Sequence, residues 1–152
     1  FNCCRPMTNF ILISIGFLLA NHGQETLQVQ ADASVKVKVT GVSSEKGEVL
    51  AALFASSQGF PNDASAAYKV ARASAANGTA MLEFNDVPRG TYAIALFHDT
   101  NNDGVLNTNR LGIPKEGYGV SKNVKNLFSG PSYKQCVFQH TTETSLTIII
   151  RY

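Results

Sequence analysis

Short apolar runs, cut apart by glycine, proline and asparagine, leave this chain few architectures to choose from. "SVKVKVTG" (34–41) alternates strictly, with Val35, Val37 and Val39 on one side and Lys36 and Lys38 on the other. That is the pattern of a strand with one face in water. "GEVLAALFA" (47–55) and "GTYAIALFH" (90–98) are apolar on both parities, which predicts strands covered on both sides. "AYKVARA" (67–73) contains alanines that suit a helix. Tyr68 and Val70 alternate with Lys69 and Ala71, however, and favour a strand after a short helical turn near Pro61. Asn77-Gly78 is a hairpin signal, so 67–75 is expected to pair antiparallel with 79–84. "SYKQCVFQ" (132–139) and "TSLTIIIRY" (144–152) complete the set, and in the latter Leu146, Ile148, Ile150 and Tyr152 share a face.

Seven such runs with regular turn spacing and almost no helix predict an all-β fold. The expectation is a seven-stranded antiparallel sandwich, immunoglobulin-like or transthyretin-like, with Val37, Leu53, Tyr92, Ile94, Leu96, Ile148 and Ile150 in its core. A domain spanning 32–152 is large enough to bury such a core without disulfides or metals.

The N-terminus differs from the rest. "NFILISIGFLLA" (9–20) is too short to cross a bilayer and suits the apolar region of a secretory signal. Val29 and Ala31 stand where a signal peptidase needs small residues, so residues 1–31 are read as a signal peptide. A buried N-terminal helix or a membrane anchor is the competing reading. Cys3 and Cys4 precede the apolar run, whereas a lipoprotein cysteine follows it. The expectation is a secreted protein, periplasmic or extracellular, without a lipid anchor or a transmembrane segment in the mature chain. Cys136 is then the one cysteine of the mature part, and its phase with Phe138 suggests a small buried hydrophobe. A net charge of +2, with Lys and Arg scattered, excludes the basic stripe that nucleic-acid binding needs.

One long irregular stretch remains, 99–131, and loops of that length in compact domains usually carry function. It opens "DTNNDGVLNTN" (99–109). Asp99, Asn101 and Asp103 occupy alternate positions, Gly104 supplies a sharp turn, and the Val105 carbonyl and Asn107 offer further oxygens. That is the donor pattern of a calcium loop, although Arg110 stands where a closing glutamate belongs. Asp, Asn and Gly also favour turns without any metal, so a run of Asx turns is the alternative. Glu116 would complete a calcium shell by folding back, unless Lys115 pairs with it.

His98 precedes this loop, in phase with Tyr92, Ile94 and Leu96. It reads either as a general base or metal ligand, or as a histidine hydrogen-bonded at the core rim. Lys115, Glu116 and Tyr118 lie in a glycine-rich segment that contacts a ligand or simply folds over the sandwich, pinned by Ile113 and Tyr118. Ser121 and Ser129 are loop serines without an evident partner.

The run "FNDVPRGTYAIALFHDTNNDGVLNTNRLGIPKEGYGVSKN" (84–123) resembles the central signature of the domain of unknown function 2141 family of exported bacterial proteins. "VTGVSSEKGEVLAALF" (39–54), "GFP" (59–61) and the terminal "TIIIRY" fit the same family. Its members usually carry Asp at the position of Asn107 and often Asn at that of Asp103. The resemblance implies an exported sandwich and no assigned reaction. More loosely, "FNDVPRGTY" (84–92) is similar to the turn motif of transthyretin-like and collagen-binding-repeat sandwiches, mostly structural or binding modules. The expected function is therefore a secreted non-catalytic binding or structural module of the cell envelope, partnered by an envelope protein or polysaccharide. A small hydrolase built on His98 with Asp99 or Glu116 is the alternative.

Overall fold

The computed structural model describes residues 33–125 and 130–152. The expected signal peptide with Cys3 and Cys4, and Ser129, lie outside these residues. In chain order the strands are β1 (Ala33–Thr40), β2 (Glu48–Phe54), β3 (Lys69–Ser74), β4 (Thr79–Val87), β5 (Gly90–Asp99), β6 (Tyr118–Val120), β7 (Phe138–His140) and β8 (Thr144–Ile149). One helical turn, α1 (Tyr133–Cys136), precedes β7. The fold is an all-β sandwich. A sheet of order β4-β1-β8 packs on a sheet of order β3-β2-β5-β6, and β7 pairs with the start of β5.

The alternation of β1 is realised as burial: Val35, Val37 and Val39 are fully buried and Lys38 is exposed. These valines meet Val49, Leu53, Ile94, Leu96, Phe84, Ile148 and Ile150 between the sheets. All seven residues expected in the core are there. Each fully buried aliphatic side chain contributes roughly 1.5–3 kcal/mol. Tyr92 anchors the turn into β5, its hydroxyl donating to the Pro88 carbonyl four residues back at 3.0 Å.

Four expectations are corrected. Eight strands are described rather than seven, because β6 lies within the stretch read as irregular. The sandwich is not wholly antiparallel, since β1 runs parallel to β8. Asn77-Gly78 makes the expected tight turn, both residues at positive φ, with Ala76 and Thr79 exchanging backbone hydrogen bonds of 2.8 and 3.0 Å. Beyond that bridge β3 and β4 part, β3 to pair with β2 and β4 to pair with β1. The predicted strand at 132–139 is instead α1 followed by β7, with Gln135 Oε1 accepting from Ser132 N at 3.0 Å in a capping box. Cys136 is buried as expected, yet it points into a different apolar cluster from Phe138.

β6 also closes the side of the sandwich. Tyr118 N donates to the Arg151 carbonyl at 2.9 Å and Arg151 N to the Tyr118 carbonyl at 3.0 Å, tying the chain beyond β8 to the other sheet. Gly117 and Gly119 make this approach possible. A Cβ at Gly117 would lie 2.4 Å from an Ile150 methyl, and one at Gly119 would lie 2.9 Å from the Ile149 carbonyl. The outer edge of β8 is capped by Asn123, which accepts from Ile149 N at 2.8 Å and donates to the Thr147 carbonyl at 3.0 Å. Among the described residues no helix is long and apolar enough to cross a membrane.

Candidate functional site

The loop that leaves β5 is built around two buried carboxylates. Asp99 accepts from Gly104 N at 2.7 Å and Asp103 N at 3.2 Å. Glu116 does fold back as expected, but onto backbone. It accepts from Thr100 N at 3.0 Å, from the Thr100 hydroxyl at 3.1 Å and from Asn107 N at 3.0 Å. Lys115 is exposed, and its own N–H donates to the Asn107 carbonyl at 2.8 Å. Buried carboxylates need such donors, so these two side chains fasten the loop to the end of β5 from beneath.

On the exposed side of the loop the remaining oxygens converge. Asp103 Oδ2 accepts from Asn101 Nδ2 at 2.8 Å and Asn107 Nδ2 at 2.9 Å, and Asn107 Nδ2 also reaches the Val105 carbonyl at 3.3 Å. Asp103 Oδ1 accepts from Val105 N at 2.9 Å. Hydrogen bonds from the Asn107 side chain, Val105 N and the Asn101 side chain hold the Asp103 carboxyl below the usual aspartate range. The expected set Asp99, Asn101, Asp103, Val105 and Asn107 is thus gathered in one turn, its carboxylates satisfied by N–H groups. Among the described residues no group of three or more His, Cys, Asp or Glu is placed to hold a metal ion. Any cation site here would add amide and carbonyl oxygens to no more than two carboxylates.

His98 is fully buried. Its Nε2 lies 2.8 Å from the Lys46 carbonyl, which can only accept, so Nε2 carries the proton. Its Nδ1 lies 2.7 Å from the Tyr152 hydroxyl, which itself accepts from Ser43 N at 2.9 Å. Both ring nitrogens are engaged. His140, not singled out in the sequence, is buried likewise, with Nε2 3.0 Å from the Val87 carbonyl and Nδ1 2.7 Å from the Thr144 hydroxyl. Ser121 is partnered after all: buried, it accepts from Ile94 N at 2.9 Å and donates to the Cys136 carbonyl at 2.6 Å. Burial pushes the Cys136 thiol up to about 11, away from reactivity at neutral pH.

A concavity lies elsewhere, on the face of the second sheet turned away from the core. Strand register lays out two rows across its four strands. One row reads Arg72, Leu50, Phe97, Tyr118, and the next reads Val70, Ala52, Ala95, Val120. A third pair, Phe54 and Ala93, follows. This far end is covered. Phe60 packs edge-on against Phe54 with centroids 5.3 Å apart, and Tyr133, Cys136 and Val137 join the same cluster. The near end is open, and Leu50 and Phe97 are only half-buried. The alanine pair between larger neighbours makes a hollow, which the loop segment 104–114 walls on one side and Pro61, Asn62 and Ala64 on another. The resulting cleft holds about 1230 Å³. Tyr118 borders it and is partly exposed. Ile113, expected to pin the loop, is 56% exposed and borders the cleft instead. The expectation that 47–55 and 90–98 are covered on both sides is therefore met at one end only.

The family model described as "Uncharacterized protein conserved in bacteria (DUF2141)" matches residues 37–148. The chain belongs to that family. Comparison with curated proteins and with solved structures gives no match. The matched stretch contains both rows of this DUF2141 domain's outer face and the whole of the 99–115 loop.

Proposed function

We propose that this DUF2141 chain is an exported, non-catalytic binding module of the cell envelope whose ligand face is the cleft on the outer side of the second sheet. The observation that carries this reading is the apolar hollow that the described residues form, with half-buried Leu50 and Phe97 at its mouth and buried Ala52 and Ala95 at its base, walled by a loop fastened through Asp99 and Glu116. Apolar concavities with a few polar groups at their rim are the usual form of ligand sites. The engagement of both His98 ring nitrogens supports binding over hydrolysis, since neither is turned to a substrate. Amide-resolved NMR against peptides, glycans and amphiphiles tests this reading. Ligand-induced shifts are expected at Leu50, Ala52, Ala95, Phe97 and Tyr118. Turnover of an ester or amide substrate that is lost on His98→Gln would replace this reading with the hydrolase.

A second reading, weak calcium binding by the same loop, is favoured by the convergence of Asn101, Asp103, Asn107 and the Val105 carbonyl. Turning the two asparagine amides over would aim their oxygens at the centre now filled by their nitrogens. Few carboxylates imply affinity in the millimolar class of extracellular sites. Calcium at roughly 10 mM should raise the melting temperature of the native chain, and Asp103→Ala should remove the rise. An unchanged melting curve would leave the loop as turn chemistry.

A further inference from the structure

From the make-up of the cleft we infer its ligand class: a single-chain amphiphile with an anionic head, such as a long-chain carboxylate. This inference rests on the binding reading above. Of the described residues that line the cleft, Arg72 alone is charged, and it stands at the end of the row that continues through Leu50, Phe97 and Tyr118. Its partner, Glu48, is 3.6 Å away and the arginine side chain is 70% exposed, so the pair is weak and the guanidinium is free to meet a second anion. Asp63, which follows the lining residue Asn62 in the chain, is taken by Ser65, whose N–H and hydroxyl donate to it at 3.0 and 2.5 Å.

The rest of the lining is aliphatic, aromatic or small. Among the described residues its other polar side chains are Asn62, Thr108 and Tyr118 with its hydroxyl. A glycan would need more donors and acceptors than these to replace the water it sheds. A hydrocarbon chain needs none, and it is stabilised by the apolar area it covers. The row Val70, Ala52, Ala95 and Val120 crosses four strands, roughly 14 Å, a length that about a dozen methylenes cover when extended. The small Ala52 and Ala95 set the depth of the track. Val105 and Ile113, 61% and 56% exposed on the wall, would flank the chain from the loop side. Arg72 would hold its head.

The test is an NMR titration of the folded chain with dodecanoate below its micelle concentration, in parallel with dodecanol and butyrate. Dodecanoate is expected to shift the amides of Ala52, Ala95, Phe97 and Tyr118, dodecanol to do so more weakly, and butyrate not at all. Arg72→Gln should weaken dodecanoate by about fivefold and leave dodecanol unchanged, the worth of one partly exposed ion pair. Val70→Asp, at a surface position 66% exposed, should weaken both. Equal binding of dodecanol and dodecanoate overturns the anionic head. Shifts produced at these amides by an apolar peptide or a glycan but not by dodecanoate overturn the amphiphile and leave the binding reading standing. Shifts produced by raising protein concentration alone make the occupant a second copy and overturn the amphiphile. No shift at these amides with any ligand sinks both readings.

Discussion

On the inward side of β2 and β5, Val49, Leu53 and Ile94 have no exposed surface, while on the outward side of the same strands Leu50 and Phe97 are half-buried. Both sides are apolar, and the residues alternate one by one along the same backbone. The inward side meets a complete second sheet. Among the described residues the outward side meets one short helix, a turn and a loop, which cover Phe54 and stop short of Leu50. An apolar parity therefore says that a face is able to be buried, and only the connections decide whether it is. In this chain the connections that fall short are those that end in the loop fastened by Asp99 and Glu116.

The comparison breaks most readily at a matched pair of leucines. Leu53→Ala opens a cavity between the sheets and is expected to destabilise the fold by about 2–5 kcal/mol, read from denaturant unfolding. Leu50→Ala removes a half-buried side chain from the cleft floor and is expected to cost about 1 kcal/mol. Equal losses at the two positions would mean that the outer face is as closely packed as the core, and the cleft would lose its physical basis.

A smaller effect is expected at the loop anchor. Glu116→Ala leaves the N–H groups of Thr100 and Asn107 without their acceptor, a loss of about 1–3 kcal/mol. Because the anchor lies under the cleft wall, hydrogen exchange should quicken first at Thr100 and Asn107, with the amides of β1 unaffected until global unfolding. If β1 exchange rises in step, the loop is part of the core and not a separately fastened wall.

Much of the sandwich was legible in the chain. Val35, Val37 and Val39 announced the face of β1, and Asn77-Gly78 announced its turn. β6 was hidden because a three-residue strand with Gly119 at its centre, entered from Gly117, carries no strand signature; Gly117 answers to the crowding of Ile150 and Tyr152, and Gly119 to that of Ile148 and the Ile149 carbonyl. α1 had a readable signal, Ser132 followed three residues later by Gln135, which the phase of Cys136 with Phe138 obscured. The loop's donors were legible as a set, but the acceptor role of Glu116 toward Thr100 and Asn107 was not, because it depends on how the chain returns. The cleft was least legible of all. Arg72 meets Leu50, and Ala52 meets both Val70 and Ala95, only through strand register, which no local pattern displays.

The finest distinction concerns the exposed side of the wall, where Asp103 holds the turn through Val105 N, Asn101 and Asn107. These hydrogen bonds favour the charged carboxylate, so its folded value lies below the unfolded one. A group depressed in this way contributes stability that is present above its unfolded value and is lost as pH falls through the folded value. The group is fully exposed, so the effect on global stability is small, and the readout has to be local. The Val105 amide donates directly to Oδ1 at 2.9 Å, and its NMR shift should titrate with a midpoint below the ordinary aspartate range. Asn107→Ala removes the leading cause and should move that midpoint upward, while Lys38→Ala, on the other sheet, should not. A Val105 midpoint in the ordinary aspartate range in the unsubstituted chain would mean that the three donors do not hold the carboxylate in solution. The wall would then be a loose segment beside an open sheet, and the contrast between a packed inner face and an organised outer cleft would reduce to a contrast between packed and merely bare.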